Sequence, residues 1–192
     1  MNAYSVVLYL HLLALFVGIG AGSVLLVCLF QLRAARTLEE AVPWGMVSAK
    51  VGRLFPVAIL GLFASGAYMT TDQWTWGTHW IDVAIGALVV LAVQGAGLAE
   101  QTAKKLEAAL HANGPGELGP ECRRMALHPG LWVAELSNFG LVFGVVWNMT
   151  QKPGLGGALG AALGGYGVGA VIALWFSRSP QEELVTAPET AA

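Results

Sequence analysis

Five long apolar stretches run through this chain, and nearly every lysine and arginine falls in alternate gaps between them. A helix needs about 20 predominantly apolar residues, at about 1.5 Å of rise each, to cross a bilayer. The stretches extend from about Tyr4 to Leu32, Leu54 to Thr71, Trp80 to Ala99, Leu131 to Met149 and Leu155 to Phe176. With their connections they use up the length and leave no room for a separate water-soluble domain. Only 11% of the 192 residues are charged and 56% are hydrophobic, whereas soluble domains carry roughly 25% charged residues. The pattern predicts an all-α integral membrane protein with five transmembrane helices over 1–178, four as an antiparallel bundle and a glycine-rich fifth. The polar, proline-punctuated stretch 179–192 is expected to be a disordered tail.

Charge sets the expected orientation. The first gap holds Arg33, Arg36, Lys50 and Arg53; the second holds none; the third holds Lys104, Lys105, Arg123 and Arg124. The fourth gap holds only Lys152, and Arg178 follows the last stretch. The positive-inside rule then places the first and third gaps and the C-terminus in the cytoplasm, and the N-terminus outside. No basic residue precedes the first stretch, the reverse of a secretory signal peptide, so it reads as a retained helix. Indoles favour the headgroup layer. Trp74, Trp76, Trp80 and Trp147 fall at the expected outer face, and Trp44, Trp132 and Trp175 at the inner one. The third helix is expected to continue to Leu110, where Asn113-Gly-Pro-Gly stops it. Cys28 and Cys122 then both lie toward the reducing side and are expected to be free thiols. A net charge of -2 argues against a nucleic-acid partner.

Gly156, Gly160 and Gly164 repeat at i+4 along the fifth helix, and Gly165 and Gly169 repeat the spacing. Gly18 and Gly22, and Gly140 and Gly144, show it in the first and fourth helices. In lipid, small residues at this spacing let backbones approach. The row at Gly156, Gly160 and Gly164 is expected to pack inside the chain's own bundle. The sharper alternative is docking on another subunit, as a homo-oligomer or within a larger membrane complex.

Ionisable or polar groups in hydrocarbon are functional-site hypotheses by default. Glu135 and Asn138 share a face of the fourth helix, and Gln94 reaches a comparable depth in the third. The trio is a candidate polar cluster, although Glu135 can also snorkel to water or pair with Arg53. Asp82, with Thr78, is expected to cap the third helix. His11 lies about 10 Å into the first helix by helical rise, at the depth of Met69 and Met149. Imidazole is the commonest metal ligand and a haem axial ligand, and a thioether beside it suits haem b or Cu(I). His79 is a second candidate metal ligand. The bland alternative is a histidine hydrogen-bonded to a neighbour such as Asn148 or a backbone carbonyl. With one histidine within the spans, a two-haem wire is excluded on ligand count. His111 and His128 match no zinc spacing and read as solvated loop residues.

Tyr9-Leu-His-Leu-Leu-Ala14, followed by Gly18, Gly20 and Gly22, resembles a large bacterial group of small membrane proteins. That group includes uncharacterised integral membrane proteins and CopD-like copper-resistance proteins. The fourth helix closing on Lys152-Pro-Gly-Leu155 is most similar to the uncharacterised branch. The resemblance covers about Tyr4 to Leu155 and implies a histidine-bearing first helix, a haem or copper link and a bacterial inner-membrane location. The related HemJ-type protoporphyrinogen oxidases carry an intramembrane lysine and a tryptophan-containing motif after the histidine; here Phe16-Val-Gly stands instead, and no span holds a lysine.

The residues therefore point to a non-catalytic accessory or cofactor-associated component of a membrane redox system, with His11 as ligand. The alternative is a small transporter using Glu135, Asn138 and Gln94, for which the chain is short and lacks an inverted repeat. No catalytic constellation of nucleophile and base can be argued, so an enzyme ranks last.

Overall fold

Hydrocarbon offers a peptide group no hydrogen-bond partner, so an apolar stretch of spanning length can satisfy its backbone only as helix. The structure, a computed structural model, describes residues 2–112 and 128–178, with side chains at 2–95 and 128–177. Among the described residues it is all-helical. The elements are α1 (Ala3–Ala34), α2 (Leu38–Gly52), α3 (Leu54–Gln73), α4 (His79–Ala112), α5 (Pro129–Gln151) and α6 (Leu155–Arg178). Four described helical runs are long and apolar enough to cross a membrane: Ala3–Ala34, Leu38–Gln73, Pro129–Gln151 and Leu155–Ser177. The apolar part of α4, His79–Gly95, adds a shorter fifth. These are the helices of a multi-pass membrane protein. The expected stop at Asn113-Gly-Pro-Gly, Cys122, Arg123, Arg124 and the tail 179–192 lie outside the described residues.

Local signals explain the ends. Asn2 caps α1 by accepting from the Ser5 amide at 2.9 Å. The first gap, read above as a connection, instead forms α2. Thr37 accepts from the Glu40 amide at 3.3 Å, and the Glu40 carboxylate accepts from the Arg36 amide at 2.8 Å. Thr37-Leu-Glu-Glu40 is the S/T-x-x-E spacing that marks a helix start. At the junction of α2 and α3, Arg53 keeps right-handed helical angles (φ −69°, ψ −14°), so the two helices nearly merge. His128, expected in a solvated loop, caps α5 by accepting from the Gly130 amide at 3.1 Å, with Pro129 favourable at the first helical position. Lys152 takes the left-handed conformation (φ 51°) that ends α5.

The packing is inside-out relative to a soluble domain. Large apolar side chains face outward, Phe16 being 71% and Val171 68% exposed, while the interior is lined by Ala21, Ala58, Ala87, Ala158, Ala162 and Ala173. Lipid tails are as apolar as leucine, so nothing drives large side chains inward, and contact is gained by bringing backbones close. The tightest pair is α5 with α6. A Cβ at Gly140 would strike the Gly165 backbone, one at Gly144 the Ala161 backbone, and one at Gly169 the Leu136 backbone. The seam thus runs through Gly165 and Gly169. Gly156, Gly160 and Gly164, expected inside the bundle, have open space where a Cβ would stand. The glycine-rich helix is accordingly no appendage, since α6 packs on both α5 and α4.

On the other side α1 runs antiparallel to α3, with Ala14 against Gly61 and Gly18 against Ala58. α4 bridges the two pairs. At the end where α1 and α6 finish, Arg33 donates to the Phe176 carbonyl at 3.0 Å. At the same end Trp132 is buried, with Phe30 edge-on at 4.8 Å and the Arg33 guanidinium 5.4 Å from its ring centre.

Gly165→Val should destabilise the purified protein by about 3 kcal/mol or more, since backbone rather than a movable side chain blocks the new methyls. Gly160→Val should stay within about 0.5 kcal/mol of wild type, as at an open surface site. Thermal unfolding in one detergent compares the two; equal losses would contradict the seam.

Candidate functional site

His11 is buried where α1 meets α3, and its ring lies against Gly66, where a Cβ would sit 3.5 Å from Cε1. It is hydrogen-bonded to a neighbouring side chain, as the bland reading has it, and that neighbour is Ser65 rather than Asn148. Nδ1 lies 2.9 Å from the Ser65 hydroxyl oxygen. A hydroxyl carries one proton, and that of Ser65 goes to its own helix, at the Gly61 and Leu62 carbonyls. Ser65 therefore accepts from His11, which makes Nδ1 the protonated nitrogen and leaves the Nε2 lone pair uncommitted. A hydroxyl acceptor in this position fixes which imidazole nitrogen carries the proton and which is left with a lone pair. Asn148 is occupied elsewhere, donating to the Ala158 carbonyl of α6 at 3.0 Å.

The space beside His11 is a cavity of about 430 Å³ between α1, α3, α4 and α5. Its walls are predominantly apolar, with Leu15, Leu62, Ile85 and Val145 among them. Met69 and Met149 line the same cavity as His11, so three side chains distant in sequence meet one space. At the end nearest the α3–α4 turn it is bounded by Trp74, Trp76 and Trp80, and by Lys152. The Lys152 ammonium sits 4.6 Å from the Trp74 ring centre, a cation–π contact. His79 is exposed at the start of α4 and is not part of the cavity lining. Among the described residues, no three His, Cys, Asp or Glu side chains gather as a metal site.

The polar trio lies in the other half of the bundle. Gln94 Nε2 donates to the Tyr166 hydroxyl at 2.9 Å, a partner on α6 that the sequence reading does not include. Gln94 Oε1 and Asn138 Oδ1 are buried without a hydrogen-bond partner. Glu135 Oε1 would stand 3.4 Å from a Cβ on Gly22, so it faces α1. Asp82 is exposed in the first turn of α4, whose Ile81 and Asp82 amides bond to the Thr78 carbonyl; the Thr78 hydroxyl itself donates to the Thr75 carbonyl.

Ser65 is the residue that sequence reasoning misses. A lone serine in an apolar run carries no spacing signal, and only the helix pairing sets it beside a histidine 54 positions away. Compared with protein-family models, curated proteins and solved structures, the chain finds no match.

Ser65→Ala removes the acceptor of a buried donor and should destabilise the protein by about 1–3 kcal/mol, read by thermal unfolding. It should also shift His11 from the Nδ1–H toward the Nε2–H tautomer, read from imidazole 15N chemical shifts. Unchanged shifts would mean that Ser65 does not set the tautomer.

Proposed function

We propose that this chain is a multi-pass protein of the bacterial inner membrane that holds a haem b or copper cofactor as a non-catalytic component of a membrane redox system. The observation that carries the reading is the meeting of His11, Met69 and Met149 on one membrane-embedded cavity, with the His11 Nε2 lone pair left uncommitted. An imidazole nitrogen with thioether sulfurs is a donor set suited to both groups. The cavity volume favours the macrocycle over a bare ion, because small-molecule pockets run from about 300 to 1,000 Å³. Apolar walls suit a porphyrin face, and the ammonium of Lys152 at the rim suits a carboxylate edge. Bound haem would supply one-electron exchange. The chain's own residues would bind and orient it and exclude water: His11 with Met69 or Met149 would hold it, and Ser65 would fix the imidazole. The resemblance of Tyr9-Leu-His-Leu-Leu-Ala14 to small bacterial membrane proteins with copper links agrees with this reading.

An outward N-terminus and a cytoplasmic C-terminus belong to the same proposal. In support, Arg33, Arg36, Lys50 and Arg53 cluster where α1 ends and α3 begins, while the opposite end carries Lys152 among exposed and half-buried tryptophans.

The test is an absorption spectrum and metal analysis of gently purified protein. A Soret band, or about one bound copper per chain, is expected in wild type and is expected to vanish in His11→Ala. A folded wild-type preparation that is colourless, metal-free and unresponsive to added haemin and Cu(I) would overturn the proposal.

A further inference from the structure

A second group of polar atoms, separate from the His11 cavity, lies deeper along the bundle between α1, α4, α5 and α6. Ala87 and Leu91 of α4 pack with Leu141 and Val145 of α5 and with Ala162 and Tyr166 of α6. α4 and α5 run in opposite directions, so one further turn along each packed face sets Gln94 level with Asn138. Glu135 lies one turn beyond Asn138 on the same side of α5.

The Gln94 and Asn138 side-chain oxygens are sealed from solvent and have no donor. Gln94 is anchored through Nε2 to Tyr166, whose phenolic oxygen keeps a lone pair. Among the described residues Glu135 is half-buried with no ion-pair or hydrogen-bond partner, and its carboxylate faces Gly22 of α1. Two orphaned amide oxygens and an unpaired carboxylate are each costly in a medium without water. A single cation placed among them would meet all three.

We propose that Glu135, Asn138, Gln94 and Tyr166 form an intramembrane binding site for a monovalent alkali cation. All the available ligands are hard oxygens, which suit alkali and alkaline-earth ions rather than soft metals. One carboxylate decides the valence. A monovalent ion leaves the site neutral, whereas a divalent ion would leave a costly net charge in hydrocarbon. The cation meets the acceptors that the protein leaves open, away from the His11 cavity.

The test compares thermal unfolding of the detergent-purified protein in NaCl, KCl and choline chloride at equal ionic strength. Sodium or potassium should raise Tm in a saturable, concentration-dependent way, by on the order of 5 °C at about a hundredfold excess over the dissociation constant. The shift relative to choline should be lost in Glu135→Gln, which keeps shape and removes charge, and in Asn138→Leu. Identical Tm in all three salts would overturn the proposal and leave a buried water as the partner of these oxygens. So would a full alkali response in Glu135→Gln. Should the variants fail to fold, the wild-type titration against choline still decides.

Discussion

A peptide group surrounded by hydrocarbon can hydrogen-bond only within its own chain, and the rest of this structure depends on that constraint. It makes the apolar stretches helical before any of them meets another. It also removes the usual reason for burying leucine and valine, because lipid receives them as well as a protein interior does. Phe16, Val93 and Leu163 accordingly face outward, and alanine and glycine line the contacts. Association rests on backbone proximity: Gly140 and Gly144 of α5 meet Gly165 and Ala161 of α6 so closely that a methyl group would not fit.

The same medium raises the cost of every polar side chain inside it, so their placement carries information. The imidazole near the α3–α4 end is supported by a serine whose own proton is already committed to its helix, and it lines a cavity that two thioethers also line. The deeper amide oxygens of Gln94 and Asn138 have no hydrogen-bond partner. One arrangement presents a soft donor set in an apolar space, the other a hard oxygen set between four helices. A single small bundle thus offers two chemically distinct environments at different depths.

How far each feature can be read from sequence depends on the range of the physics behind it. A spanning helix is a matter of length and composition, so its place shows in the chain directly. The start of α2 was equally legible in Thr37-Leu-Glu-Glu40, because capping is local, but an apolar-run reading passes over it. The glycine rows of α6 could not be ranked. Both have the same spacing, and which one meets α5 depends on the rotation of α6 about its axis, set by the notches at Gly140 and Gly144. Trp132 is placed near a helix end by sequence alone, but its contacts with Phe30 and Arg33 come only with packing.

His11, Met69 and Met149 could be grouped by depth, because helical rise converts residue number into distance along the bundle normal. Depth alone, however, leaves rotation open: His79 lies near the same end yet stays outside the cavity, and Asn148 turns to α6 rather than to the imidazole. From its own order of residues the chain determined that it would be helical, apolar on the outside and divided into alternating charged gaps, since those properties need only near neighbours and solvent. Which faces touch, which tautomer His11 holds and which oxygens stay unpaired were decided only when the helices packed, because each depends on atoms brought together from distant parts of the chain.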